Sequence, residues 1–310
     1  MLQLNQTKMM KGMTSMSKFG IDVSKWQGAN FDFNRAKTED KVEFVVLRGA
    51  YSVYKDTQFE NYYAKCKALN LPVGVYHYSM ATTVEEAKNE AKYLHDNVLK
   101  GKRFELPIYI DVEDKVQLAL PKALLTDIVK AWCEYLESRN YYVGIYAGKY
   151  QLKYNMDDKQ LRRYTHWIPM WAESCTYEDK AVLGMWQFGG DTNKLRSNKI
   201  AGVVVDQNYM YVDFPTIIKK KKLNGFGATT QSTQATAPTV KPAKVVFNLG
   251  DKIKLSADAK YSNNKAVPAW VRGCTLYIRS DEYDGGYYNV SLLKVGAITG
   301  RIHKKYITKK

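Results

Sequence analysis

Between residues 19 and 218, short apolar runs alternate with stretches of helical periodicity, and no other feature restricts the fold as tightly. Strand-like segments fall at 19–23, 42–51 (VEFVVLRGAY), 72–79 (PVGVYHYS), 106–113 (LPIYIDVE) and 142–147. Helical patterns occupy 57–69, 83–99 and 121–139. The helix at 83 opens T-V-E-E, with Thr as N-cap and acids in the first turn, and Pro121 suits a first helical position. Three further strands, at 166–172, 185–188 and 202–207, follow with looser connections. Parallel neighbours need long crossovers, so strands that alternate with helices predict a parallel α/β sheet. About eight strands in roughly 200 residues predict a closed barrel that lacks helices late in the chain. An open doubly wound sheet is the alternative, but no G-x-G-x-x-G follows the first strand.

The pattern breaks after residue 218. Four lysines at 219–222 lead into GFGATTQSTQATAPTVKP, whose Gly, Ser, Thr, Gln and Pro without periodicity read as a linker. From 244 come VVFNLGDKIKL, CTLYIRS, YYNVSLL and ITGRIHKKYI, short β-rich pieces separated by Gly-containing turns, the pattern of a small all-β barrel. The expected organisation is an extension at 1–17 without order, a first domain at 18–218, a linker at 219–243 and a second domain at 244–310.

Charge follows the same division. Residues 219–310 hold 18 Lys and Arg against 5 Asp and Glu, whereas residues 1–218 hold 29 against 26. A basic block of that size points to a polyanionic partner: nucleic acid, anionic lipid or the acidic polymers of a bacterial wall. A merely solubilising surface is the plain alternative. Helix-turn-helix, zinc-finger and RNP signatures are missing, which argues against nucleic acid. The four cysteines form no C-x-x-C pair and no zinc spacing, so neither metal nor cofactor is expected, and Cys66 and Cys133 read as core thiols. Residues 1–18 lack the apolar core of a signal peptide, and no run of about 18 apolar residues is present to span a membrane.

In a β/α barrel, chemistry sits at the carboxyl ends of the strands. Asp22 ends the first strand (FGIDVSKWQ), Asp111 and Glu113 end the fourth (YIDVED), and Asp206 ends the last (GVVVDQN). An isolated buried carboxylate costs several kcal/mol, so four acids at equivalent positions need a reason. Residues i and i+2 of a strand share a face ~6.6 Å apart, which would aim Asp111 and Glu113 at one cleft and raise one pKa. A carboxylic acid kept protonated is what glycoside hydrolysis needs for its leaving oxygen. An exposed acidic turn, D-V-E-D including Asp114, is the alternative. Trp26, Tyr76, Tyr78, Trp171 and Trp186 gather near the same strand ends, where ring faces can pack on sugars; core packing is the alternative for each. His77 lies on the opposite face from Tyr76 and reads as a structural histidine.

The segments FGIDVSKWQG, FVVLRGAY, VGVYHYS, PIYIDVED, YVGIYAG, HWIPMWAE, MWQF and VVVDQN, in this order over about 18–214, resemble glycoside hydrolase family 25, the Chalaropsis-type lysozymes. The resemblance implies an irregular TIM-like barrel with fewer than eight outer helices. It also implies hydrolysis of the β-1,4 bond between N-acetylmuramic acid and N-acetylglucosamine in peptidoglycan. By motif it places the general acid at Glu113, the accompanying acids at Asp22, Asp111 and Asp206, and the active-site tyrosine at Tyr76. Tyr78, Trp26, Arg48, Trp171, Gln187 and Asn208 complete the substrate-binding set. The sequence departs from the family after its second strand, where Tyr51-Ser52-Val53 replaces the usual acid and glycine. The tail resembles bacterial SH3-like wall-binding modules through FNLGDKIK, PAWVR and ITGRIHKKYI. The whole layout resembles a phage endolysin of a Gram-positive host, made in the cytoplasm without a signal peptide and acting on peptidoglycan and acidic wall polymers after release. A non-catalytic wall binder on a decayed barrel and a basic nucleic-acid binder are the rival readings.

Overall fold

The computed structural model describes residues 17–227, 247–262, 264–280, 286–292 and 299–310. The chain divides into two compact units, Met1–Gln231 and Ser232–Lys310. The extension expected at 1–17 lies outside the described residues but for Ser17, as does the linker from 228 onward.

Besides the two-residue strands Tyr54–Lys55, Lys199–Ile200 and Val203–Val204, the first unit has the barrel strands β1 (Lys18–Val23), β2 (Phe44–Tyr51), β3 (Val73–Tyr78), β4 (Ile108–Asp111), β5 (Val143–Tyr146), β6 (Thr165–Pro169), β7 (Leu183–Gly189) and β8 (Asp206–Met210). They lie side by side in the order β1–β8–β7–β6–β5–β4–β3–β2, and β1 also pairs with β2, so the sheet closes into a barrel. All neighbours are parallel except at β8, which runs antiparallel to both β1 and β7. Helices α1 (Phe33–Thr38), α2 (Phe59–Ala68), α3 (Val84–Leu94) and α4 (Lys122–Glu137) connect the earlier strands. The late connections carry only short turns of helix, as the fading periodicity predicted. Helix α1 escaped the sequence reading: six residues with only Phe33 and Ala36 buried and an Asp32 cap are too short to show a period. The helix expected over 83–99 ends at Leu94 and continues as a wider π turn, His95–Leu99.

Period-two alternation sorts each strand into an outer set beneath the helices and an inner set. Phe44, Val46, Tyr109, Tyr146, Trp167, Met185 and Met210 form the inner core, and Phe214 and Ile218 of α5 (Phe214–Lys220) plug its lower end. Such large rings fit because facing positions are glycine. A Cβ on Gly20 would lie 2.5 Å from the Phe44 ring, and one on Gly144 would lie 2.4 Å from Tyr109. Cys66 and Cys133 are buried among the outer set.

The first unit does not stop at residue 218, where the linker was expected to follow. That boundary falls inside α5, and the chain then turns back to seat Asn224, fully buried, against the barrel floor. Leu223 and Phe226 pack on the inner core. Lysines at 219–222 with a following glycine mimic a linker in composition; the buried contacts of Leu223, Asn224 and Phe226 decide otherwise.

In the second unit, β9 (Lys252–Leu255), β10 (Leu276–Ile278), β11 (Tyr287–Ser291), β12 (Gly300–His303) and β13 (Ile307–Lys309) form one antiparallel sheet in the order β12–β11–β10–β9–β13. Its own core includes Phe247, Ile253, Leu276, Ile278, Tyr288, Val290 and Ile302. A short helix, Ala269–Gly273, interrupts the β pattern expected there.

Candidate active site

The four acids meet. Asp22, Asp111, Glu113 and Asp206 line a single cleft of about 300 Å³ at the barrel rim, together with Trp26, Arg48, Tyr76 and Tyr78. Tyr146, Trp167 and Gln187 line its deeper recess. Asp22 and Asp111 occupy late positions of their parallel strands, as expected. Asp206 arrives differently. It opens β8 rather than ending a strand, and because β8 is antiparallel, its first residue stands directly opposite Asp22. Glu113 lies in the loop past β4, beyond the last strand residue Asp111, and is exposed at the mouth.

A polar clamp fixes Asp22. Its Oδ2 accepts hydrogen bonds from Asn208 Nδ2 at 2.8 Å and Gln187 Nε2 at 3.1 Å. The opposite ends of both amides are committed. Asn208 Oδ1 accepts from the Trp167 indole at 2.8 Å, and Gln187 Oε1 accepts from Tyr146 Oη at 3.0 Å and the Trp171 indole at 3.2 Å. An indole N–H only donates, so each amide must turn its oxygen toward the tryptophan and its NH₂ toward Asp22. Three aromatic residues therefore hold one carboxylate as an acceptor.

Burial of so many acids raises their pKa values. Desolvation lifts Asp22 to about 6, against the pull of the Asn208 and Gln187 bonds. Asp206 is lifted to about 8 by burial and then by the charge of Asp22. Asp111 is buried and pushed well above the carboxylate range by desolvation, Glu113 and Asp22, with Arg48 opposing. Among the described residues its Oδ1 has no hydrogen-bond partner. Although the Glu113 residue is exposed, its carboxyl is partly desolvated by its neighbours, and that, with the charge of Asp114, raises its pKa too. At neutral pH the group therefore shares protons, as closely spaced acids must. Arg48 is held by a 2.8 Å ion pair with Asp56, which also receives the backbone N–H groups of Lys25 and Gln58.

The sequence reading placed most of this set and missed part of it. Tyr76 and Tyr78 share the inner face and line the cleft, as expected, and Trp26 stands 76% exposed at its edge. His77 is structural: Nε2 meets the Ser52 carbonyl and Nδ1 accepts from the Trp132 indole. Trp186 does not join the cleft. Gln187 points inward, so its neighbour points outward, where Trp186 packs on Phe188 and Tyr209 and donates to the Met170 carbonyl. Asn208 was expected to contact substrate; both ends of its amide are instead engaged inside the protein. Trp171 lies behind Gln187, bonded to it, and is 42% exposed. Trp167, Tyr146 and Asp56 were missed. The first two lie on strands of their own, β6 and β5, which carry no other cleft residue to count parity from, and only the register with β7 and β4 turns them inward, whereas Asp56 comes from a turn that no period describes. Among the described residues no group of three His, Cys, Asp or Glu side chains is arranged to hold a metal ion.

Fold and site together define a class: a closed β/α barrel whose rim carries a carboxylate cluster walled by aromatic rings. More particularly, the chain belongs to glycosyl hydrolases family 25, whose sequence pattern matches residues 21–196. The autolytic lysozyme of Clostridium acetobutylicum is 27% identical over 166 residues, 53% of this chain and 48% of that protein. The autolysin LytC of Streptococcus pneumoniae, solved in complex with a synthetic peptidoglycan ligand, shares the fold with a TM-score of 0.55 at 22% identity. That likeness covers 63% of this chain and 47% of LytC. The bacterial lysozyme of Streptomyces coelicolor gives a TM-score of 0.57 at 19% identity, over 68% of this chain and 99% of that one. The chain thus spans about half the length of the first two relatives.

Proposed function

We propose that the barrel unit hydrolyses the β-1,4 bond between N-acetylmuramic acid and N-acetylglucosamine in peptidoglycan. One observation carries the reading: four carboxylates with raised pKa values share one cleft, and only Glu113 stands open at its mouth. Glu113, protonated, gives its proton to the glycosidic oxygen as the bond to the anomeric carbon breaks. Positive charge then develops on the sugar, and Asp22, ionised near neutral pH and locked by two amides, faces it as fixed negative charge. Asp206, lifted to about 8, and Asp111, pushed up by burial, are the acids of the cleft that hold a proton most readily, and each then donates a hydrogen bond to the substrate. A water adds to the anomeric carbon and returns its proton to Glu113. Digestion of purified peptidoglycan is expected to expose new N-acetylmuramic acid reducing ends. New N-acetylglucosamine ends would mark a glucosaminidase and overturn the assignment.

The second unit fits an SH3-like wall-binding module that holds the enzyme on the acidic polymers of a Gram-positive wall. Its antiparallel sheet and the 14 basic residues against 5 acidic ones in 232–310 support this. Surface attraction is screened as the Debye length falls from ~10 Å at 0.1 M salt to ~3 Å at 1 M. Binding of the full chain to intact walls is expected to weaken strongly across that range and on removal of the acidic polymers. Retention unchanged by either treatment would reject a charge-based anchor.

A further inference from the structure

Beyond the cleft, the rim carries a second aromatic surface with no place in the chemistry above. The loop leaving β5 continues as a single π turn, Gln151–Asn155. On it Tyr150 and Tyr154 are 63% and 62% exposed, among the most exposed large side chains of the first unit. Their rings are nearly parallel, 9° apart in plane, with centroids separated by 6.2 Å. With each residue more than half exposed, ring surface on both stays accessible to a ligand. Lys149 and Lys153 stand by these rings, with nitrogens 5.1 Å and 5.4 Å from the respective centroids.

The turn is a fixed surface. Leu152 and Met156 anchor it in the core. Asn155 Nδ2 donates to the Leu118 carbonyl at 2.8 Å, and Lys122 Nζ donates to the Lys153 carbonyl at 2.8 Å. Leu118 ends the short helix Lys115–Leu118 whose N-cap is Asp114, the residue after Glu113. The tyrosines are thus carried by a turn tied to the segment that leaves the catalytic loop. They follow β5 at its carboxyl end, the end where Tyr146 reaches the cleft.

Two rings exposed side by side leave apolar surface in water unless something else covers them. Sugar rings pack on aromatic faces through their C–H groups. The lysines add cationic charge beside a cleft that is otherwise acidic. We propose that Tyr150 and Tyr154, with Lys149 and Lys153, form a rim platform for the same substrate outside the cleft. It stacks a distal sugar of the glycan strand, and the lysines hold the carboxylate-bearing substituent of that sugar. The occupant is an anionic amino-sugar polymer, and the inference rests on the glycosidase reading above. A neutral glycan would use the rings but not the lysines.

The test compares KM and kcat of full-length variants on long uncrosslinked peptidoglycan strands and on short fragments that fill the cleft alone. In Tyr150→Ala/Tyr154→Ala the KM on long strands is expected to rise roughly tenfold, two ring contacts being lost, with a smaller rise on fragments. Tyr150→Phe/Tyr154→Phe, which keeps both ring faces, restores the value. Lys149→Glu/Lys153→Glu also raises KM on long strands, most strongly at low salt. A wild type that opens no glycosidic bond removes the glycosidase reading and the platform with it. An active wild type whose long-strand KM is unmoved in the folded alanine pair overturns the platform alone. A shift in the alanine pair with none in the lysine pair overturns the anionic part and points to a neutral glycan.

Discussion

Glu113→Gln is expected to lower turnover on purified peptidoglycan by about 10²–10⁴-fold, the usual contribution of a positioned acid, while the protein stays folded. The substitution keeps the size of the side chain and removes the proton. Glu113 is exposed at the cleft mouth, so the loss does not pass through stability. The same residue sets the alkaline side of the pH profile. It works only when protonated, so the rate falls as pH rises through its pKa, which partial desolvation and the charge of Asp114 hold above the ordinary value of 4.5. Asp114→Asn removes that charge and is expected to move the alkaline limb to lower pH. Asparagine is as good an N-cap as aspartate, so the helix Lys115–Leu118 keeps its cap. Near-normal turnover by folded Glu113→Gln would dismiss the residue as the acid. An unmoved limb in Asp114→Asn would dismiss the electrostatic account of its pKa.

Asn224→Ala is expected to destabilise the barrel unit by about 2–6 kcal/mol, because two buried backbone groups lose their partners at about 1–3 kcal/mol each. Asn224 Oδ1 accepts from the Tyr142 N–H at 2.7 Å, and Nδ2 donates to the Leu106 carbonyl at 2.8 Å. Its own N–H meets the Asn140 carbonyl at 2.9 Å, and its carbonyl accepts from Phe104 at 3.2 Å. The backbone there is left-handed, with φ at 51°, which Asn tolerates better than Ala. For a unit of this size the melting temperature should fall by roughly 5–20 °C. A chain ended at 218 would lose all four bonds together with Leu223 and Phe226, and should be less stable still; one ended at 227 should fold. Calorimetry on these truncations and on Asn224→Ala decides the point, and equal melting temperatures for 218 and 227 would show that the segment does not belong to the barrel.

The sequence alone determined a buried, mostly parallel α/β sheet, because its strands are apolar runs and the helical stretches between them require parallel neighbours, while closure into a barrel rather than an open sheet came with the pairing of β1 and β2. It also determined two of the four acids as strand-end residues, since Asp22 and Asp111 stop apolar runs that would otherwise continue into the core, whereas Glu113, read as ending the same strand as Asp111, lies in the loop beyond it. Only the tertiary structure decided the rest. The direction of β8 carries no local signature, for an antiparallel strand reads like a parallel one. Yet that reversal is what sets Asp206 opposite Asp22. The clamp on Asp22 joins β1, β5, β6, β7 and β8 with the segment at Trp171, over sequence separations of up to 186 residues, and no window of sequence contains it. The end of the first unit was hidden for the opposite reason. Lys219 to Gly225 has the composition of a linker, and its fold is held by backbone groups on the barrel floor, the Tyr142 N–H and the Leu106 carbonyl, that the Asn224 side chain satisfies.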